Sequence, residues 1–258
     1  MRNRLSRLAL VASLLPAMLF FSACDVFSSP QNTFSPTGTV AAKQKYIFMI
    51  TMWPAIAILL GVELGLLFIL IKFRRKKSDP GLPKQIHGNN RLEIAWTIAP
   101  ILLLAMFVPA VVGGVIDLGR TPKDAVVVNV SGIQWAWQFS YPDPSGGAAV
   151  VAPINEMHIP AGKDIEIKLH SNDVIHSFWV PKLAGKTDVM PGRLNHMWLR
   201  GSDIGDYAGQ CAEFCGLDHA KMRFHVIVES QADFDAWLKA QAAAQHSGDP
   251  TQFALHGE

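Results

Sequence analysis

The sequence predicts two membrane-spanning helices in a hairpin, followed by an aqueous all-β domain of the sandwich or Greek-key barrel kind. Three observations carry this. The 258 residues are 50% hydrophobic and 17% charged, a length for one or two domains and a composition that excludes a disordered or nucleic-acid-binding tail protein. Charge is split along the chain: residues 1–116 hold twelve Lys and Arg against four acids, and residues 117–258 hold eleven against seventeen, a net of −6. The hydrophobic pattern also changes near residue 117, from long apolar runs to short alternating ones.

Residues 1–23 read as a signal peptide. Arg2, Arg4 and Arg7 precede an apolar run from Leu8 to Phe21, which is shorter than the roughly 20 residues that cross a bilayer. Phe21-Ser22-Ala23-Cys24 looks like a lipoprotein cleavage box, with Phe21 where Leu is usual, and makes Cys24 a candidate lipidation site. An ordinary signal peptide with an incidental cysteine is the alternative. Residues 24–45, rich in Ser, Pro, Thr and Asn, read as a tether.

The transmembrane hairpin is expected over residues 46–116, with spans at about 46–73 and 94–116. Between them lie Lys72, Arg74, Arg75, Lys76, Lys77, Lys84 and Arg91 against Asp79 alone. The positive-inside rule makes that loop cytoplasmic and places both the N-terminus and everything after residue 117 outside. Glu63 sits within the first span, where an ionisable group is costly, and reads as a protonated or hydrogen-bonded Glu facing a partner helix, with a functional intramembrane carboxylate as the alternative. Glu93, at the cytoplasmic edge of the second span, is either an interfacial anchor or a proton-accessible group.

From residue 117 to 230, β-prone runs recur at Ala125–Val130, Gln134–Tyr141, Ala148–Val151, Ile165–His170, His176–Val180, Leu194–Arg200 and Arg223–Glu229. Seven to ten short strands in this length suggest a sandwich or barrel. Residues 231–258 read as an Ala-rich terminal helix and tail, with Ser230 as N-cap.

Chemistry concentrates between Cys211 and Met222, where two thiols, an imidazole and a thioether occur within twelve residues. His176 precedes a neighbouring strand. Soft sulfur ligands and imidazole suit copper. A Cys211–Cys215 disulfide and a Cys2His2 zinc site remain open alternatives. A mononuclear copper site with one cysteine leaves a thiol over, whereas two thiolates bridging two copper ions use every group.

Cys211-x3-Cys215-x3-His219-x2-Met222, with His176 upstream and a two-helix anchor, resembles subunit II of the haem–copper cytochrome c oxidases. Glu93 to Pro100, Gln134-Trp135-Ala136-Trp137 and Lys186 to Arg193 match further signatures of that family, and the resemblance spans roughly residues 40–230. It implies a cupredoxin-like Greek-key barrel holding a dinuclear copper A centre, in a bacterial inner membrane with the copper domain in the periplasm. Cys211 and Cys215 correspond to bridging thiolates. His176 and Met222 correspond to the further ligands of one copper, His219 and the Glu213 carbonyl to those of the other. The Glu213 side chain corresponds to a magnesium ligand shared with subunit I, Trp135 to the entry point for electrons from cytochrome c, and Glu93 to the entrance of a proton path. Implied partners are subunit I, subunit III and a separate soluble or membrane-anchored cytochrome c, since no Cys-x2-Cys-His haem motif occurs.

Two departures concern the donor. Ser140 and Asn172 stand where many family members place acids, which puts docking of a highly basic cytochrome c in doubt and leaves Asp173 as the candidate docking charge, with capping of a turn as its alternative. Competing readings are a quinol oxidase subunit II, which in that family lacks the copper ligands, and a membrane-tethered copper-binding protein.

Overall fold

The computed structural model describes residues 29–74, 81, 85, 87–143 and 145–247. The expected signal segment, Cys24 and most of the basic loop between the spans lie outside the described residues. Helices α1 (Thr39–Lys72) and α2 (Asn90–Leu118) are 34 and 29 residues long and apolar enough to cross a membrane. At about 1.5 Å per residue both exceed the roughly 30 Å hydrocarbon core. Their outward leucines and isoleucines are exposed in the isolated chain, as expected where lipid rather than protein surrounds a span.

Helix α1 begins seven residues before the expected span. Residues 37–41, expected as tether, are instead strapped to the β-domain: Thr37 and Gly38 N–H donate to Lys182 O, and Ala41 N–H donates to Leu183 O. Gly38 lies so close to the Leu183 backbone that a Cβ there would stand 2.4 Å from its carbonyl oxygen. The helices meet near their outer ends, where Lys43 pairs with Asp117 and Ile47 fills the space left by Gly114. At the other end Asn89 caps α2. Its side chain accepts from Arg91 and Leu92 N–H, and Glu93 Oε1 accepts from Asn89 N–H at 3.1 Å, a reciprocal capping box.

Ten strands follow: β1 (Val126–Ile133), β2 (Ala136–Tyr141), β3 (Val150–Val151), β4 (Glu156–Pro160), β5 (Ile165–Ser171), β6 (His176–Trp179), β7 (Thr187–Val189), β8 (Asn195–Leu199), β9 (Gly205–Cys211) and β10 (Arg223–Glu229). They form two five-stranded sheets, ordered β3-β2-β1-β5-β8 and β4-β10-β9-β6-β7. The pairs β1–β5 and β4–β10 are parallel, and the others antiparallel. Alternation builds the core. In β5, Ile165, Ile167 and Leu169 are buried while Glu166, Lys168 and His170 point away. Between the sheets Trp137, Phe139, Phe178 and Phe224 interlock with ring centroids 4.7–6.5 Å apart. Each such aromatic contributes on the order of 3–5 kcal/mol against truncation to Ala.

Helix α3 (Gln231–Ser247) starts at Ser230, whose hydroxyl accepts from Asp233 N–H at 3.1 Å. It lies across the strand edges β3 and β4. Gln245 bonds Val151 N–H and Ala149 O, and Phe234 and Trp237 pack on Tyr141. At the opposite corner Trp198 Nε1 donates to Leu118 O at 3.1 Å and ties the end of α2 to the domain. Strand β1 starts beside that junction. Its far end, with the turn into β2 that carries Gln134 and Trp135, lies against the loop that holds Cys215.

Candidate metal centre

Three elements deliver the donor groups. His176 opens β6, Cys211 closes β9, and the connection to β10 carries Cys215, His219 in a short 3₁₀ turn, and Met222. The loop is closed at its base by Cys211 N–H donating to Met222 O at 2.9 Å, and fixed to β6 by Ala212 N–H donating to Ser177 O at 2.9 Å. Two glycines make the close approaches possible. Gly132 gives the His176 ring bare backbone, since a Cβ there would stand 2.8 Å from its Cδ2. Gly216, at φ +125°, takes a left-handed turn against the Trp135 ring that a side chain would not tolerate.

The donor atoms converge. The two Sγ atoms lie 3.8 Å apart, and both cysteines are free and buried. His176 Nδ1 stands 3.9 Å from Cys211 Sγ, and His219 Nδ1 stands 3.5 Å from Cys215 Sγ. Met222 Sδ lies 3.7 Å from Cys215 Sγ, and the Glu213 carbonyl oxygen 3.2 Å from Cys211 Sγ. His176 is 0% exposed and Met222 1%.

The electrostatics separate the two thiols. Burial raises Cys211, but hydrogen bonding toward His176 leads the opposing effects and brings it down to about 6. Burial and the neighbouring Cys211 push Cys215 up to about 12. A metal ion binding both must therefore displace the proton of Cys215. Burial lowers the His176 imidazole, but Cys211 and Asp173 outweigh it and raise the group. Burial likewise opposes ionisation of Asp173, yet hydrogen bonds from His176, Val174 N–H and Gln134 N–H hold it at about 2.

The donor set fits soft metal ions. A disulfide needs sulfurs about 2.05 Å apart, and 3.8 Å excludes that bond in this structure. Two sulfurs sharing one metal ion at about 2.3 Å each stand at most about 4.6 Å apart, so the pair suits a shared ion. Two thiols, two imidazoles and a thioether exceed the four ligands of one tetrahedral zinc and match the copper preference for sulfur and imidazole.

The remaining expected residues fall into place as follows. Trp135, joined to Gln134 by a cis peptide bond, is half-buried on the loop. Its Nε1 donates to Cys215 O at 3.3 Å, beside Gln134 Nε2 at 2.7 Å from the same oxygen. The Glu213 side chain is exposed. Glu93 is far in the chain from the cluster, at the opposite end of α2, and works there as a cap. Glu63 lies exposed on α1. Asp173 is not the free docking charge expected of it. Its carboxylate accepts from Gln134 N–H at 2.7 Å, Val174 N–H at 2.6 Å and Ser171 Oγ at 3.2 Å, and faces His176 Nε2 at 2.9 Å. It orients the imidazole so that Nδ1 faces the sulfurs, a role the sequence reading missed although the i, i+3 spacing to His176 carried it.

Comparison with known proteins assigns the family. The family described as cytochrome c oxidase subunit II, transmembrane domain, matches residues 30–111, and that described as its periplasmic domain matches residues 144–230. Cytochrome c oxidase subunit 2 of Alkalihalophilus pseudofirmus is 41% identical over 181 residues, covering 68% of this chain and 52% of the relative. The Bacillus subtilis cytochrome c oxidase subunit 2 is 34% identical over 249 residues, covering 90% of this chain and 67% of the relative. Quinol oxidase subunit 2 of Bacillus spizizenii is 33% identical over 239 residues, covering 89% and 71%. This chain thus spans about half the length of the first relative and two thirds of the second.

Proposed function

Because this chain belongs to the cytochrome c oxidase subunit II family, with two transmembrane helices and a periplasmic domain, we infer that it is the electron-entry subunit of a respiratory haem–copper oxidase. The single observation that carries the reading is the convergence of buried Cys211, Cys215, His176 and Met222, with half-buried His219 against Cys215. Two copper ions held there supply one-electron uptake and release. The chain's own residues do the rest. Cys211 and Cys215 would be shared by both ions, while His176 with Met222, and His219 with the Glu213 carbonyl, would complete the two ligand sets. The β6 and β9 backbones and the β9–β10 connection fix all six groups, so little geometry changes with the electron count.

Trp135 is the entry point, because its indole bonds the carbonyl of the bridging Cys215 and its ring reaches the surface. Electrons from a cytochrome c pass on to haem in subunit I, where oxygen is reduced to water and protons are translocated. The exposed Glu213 carboxylate offers one oxygen ligand to a magnesium ion completed by subunit I. Glu93, solvent-exposed at the cytoplasmic end of α2, collects protons for a path in subunit I and also caps the helix. Subunit III is a further partner. The two spans and the periplasmic-domain match support a bacterial inner-membrane location, and Cys24 is the proposed lipidation site.

A quinol oxidase reading is favoured by the Bacillus spizizenii relative, but an oxidase without copper has no use for this donor set. A tethered copper-binding protein needs exchangeable ligands, and all of these side chains but half-buried His219 are buried. Electron paramagnetic resonance of the purified, copper-loaded protein decides: hyperfine coupling to two copper nuclei is expected, and coupling to one or none overturns the reading.

A further inference from the structure

Where α1 leaves the bilayer, the chain builds a cavity against one side of the helix. The strap before α1 and the connection between β6 and β7 enclose about 250 Å³ there. Phe34 and Phe48 line it, edge to face with ring centroids 5.6 Å apart, together with Trp179, Pro181 and Ala184. Gln44 closes one side against Gly185, where a Cβ would stand 2.5 Å from its Nε2. The cavity is separate from the sulfur and imidazole cluster, since Trp179 ends the strand that His176 begins.

Its depth follows from counting along α1. Lys45 and Lys72 are 27 residues apart in one helix, about 40 Å at 1.5 Å per residue. That spacing matches a bilayer of roughly 40–45 Å with its headgroup layers included. Lys72 opens the cytoplasmic loop, so Lys45 stands at the outer headgroup level. Phe48 lies one turn deeper, and Met52, Ala55 and Leu59 continue its side of the helix toward the hydrocarbon.

Lys45 is the one charged residue lining the cavity among the described residues. Its Nζ donates to Phe34 O at 2.7 Å, which uses one of three donors. The stretches that build the walls, residues 33–48 and 179–185, hold Lys43, Lys45 and Lys182 and no acid. The acids nearest in the fold are engaged or stand aside. Asp117 pairs with Lys43, and Asp164 with Arg200. Asp188 and Asp203 line no part of the cavity. An ammonium group with donors to spare, above an apolar cleft at headgroup depth, is complementary to a phosphate diester that carries acyl chains.

We propose that this cavity binds one anionic phospholipid of the outer leaflet. Lys45 takes the phosphate, Phe34, Phe48 and Trp179 hold the glycerol and first methylenes, and the chains run down α1 past Met52 and Leu59. A zwitterionic lipid fits less well, because its own cation competes with Lys45 for the phosphate. The bound lipid ties the span to the β-domain, and this needs the two spans but not the copper centre.

Photo-crosslinking tests the assignment. The full-length chain in nanodiscs receives a trace of phosphatidylglycerol or of phosphatidylcholine, each with a diazirine near the start of an acyl chain. Cross-linked peptides are read by mass spectrometry. Residues 179–185 report the cavity, because they belong to the β-domain, whereas bulk lipid reaches α1 with either probe. Phosphatidylglycerol labels this peptide about fivefold or more above phosphatidylcholine, the preference that one lysine near a headgroup confers. Lys45→Gln brings the ratio to about one, and Lys123→Gln, a lysine outside the cavity, leaves it unchanged. Unlabelled phosphatidylglycerol competes in wild type, which keeps the test decisive if the Lys45 variant folds poorly, and inorganic phosphate does not compete.

Equal labelling by the two lipids overturns the proposal, as does a ratio that Lys45→Gln leaves unmoved. Competition by inorganic phosphate overturns it in favour of a soluble anion. Labelling that rises in Cys24→Ser overturns it too, and gives the cavity to the chain's own lipid anchor. Absence of labelling by either probe leaves the cavity to a neighbouring subunit and ends the lipid assignment.

Discussion

Two buried histidines, one at each end of the β-domain's inner architecture, show what makes an imidazole a ligand. His176 is 0% exposed and His158 6%, and each has a carboxylate on a ring nitrogen. Around His158, however, both nitrogens are taken: Nδ1 faces Glu229 at 2.9 Å and Nε2 faces Glu156 at 2.8 Å. Its ring stacks on Trp237 of α3 with centroids 4.0 Å apart, and its backbone N–H and C=O both bond the Tyr141 hydroxyl. Around His176, Asp173 takes Nε2 and leaves Nδ1 open toward Cys211 Sγ. Burial and a carboxylate are common to both sites. The open nitrogen among soft donors is what distinguishes a metal ligand from a fastener of the terminal helix.

The largest expected effect tests the metal side of that contrast. Cys215→Ser removes a thiolate that serves both ions, so the two-copper resonance pattern disappears entirely rather than weakening. Cys211→Ser gives the same result. A variant that keeps the full coupling to two nuclei removes the bridging assignment.

The histidines themselves come next. His158→Phe keeps the stack on Trp237 but leaves Glu229 facing no partner, and is expected to cost about 2–3 kcal/mol of stability. The copper spectrum stays unchanged. Denaturant unfolding of the full chain, with the spectrum recorded in parallel, reads both quantities. His176→Gly, beside the bare backbone of Gly132, behaves oppositely, losing the two-copper spectrum. If His158→Phe altered the spectrum, the two sites would be coupled and the comparison would fail.

Much of this was legible in the sequence where the signal is local. The apolar runs predict both spans, and the thiols, imidazole and thioether of the loop stand within twelve residues. His176 joins them only through pairing of β6 with β9, 35 residues apart in sequence, so its place came from family resemblance. Strands β4, β7 and β9 have no counterpart among the expected runs. Strand β7 has three residues, β4 ends in Pro160, and β9 (Gly205–Cys211) carries two glycines and an aspartate. Low intrinsic propensity hides such segments, and β9 gains its conformation from two neighbours, β10 and β6. Asp173 makes the local turn bonds that its capping alternative predicts, whereas its Gln134 partner, 39 residues away, lies beyond local signals.

That corrected residue gives a smaller, sharper prediction. Asp173→Asn keeps an acceptor for Gln134 and Val174 N–H but weakens the hold on His176 Nε2. Partners of this kind change metal affinity by about 10- to 100-fold when replaced. Competition of the full chain against a copper chelator is expected to show a loss in that range, with two-copper coupling retained at saturation. An unchanged affinity returns Asp173 to a turn-forming role.

The smallest effect is expected at Met222. It is 1% exposed, 3.7 Å from Cys215 Sγ, and the last residue before β10. Its Leu replacement conserves volume, so the stability change stays under about 1.5 kcal/mol. The thioether is a weak ligand whose main effect on copper is on the redox potential. Met222→Leu therefore keeps both thiolates, both imidazoles and the dinuclear pattern, while its potential moves. Redox titration followed through the copper absorption of the full chain measures that shift. A wild-type potential would make Met222 a core residue that happens to lie beside sulfur. The contrast drawn from the histidines would then extend to the thioether, with proximity alone again insufficient to make a ligand.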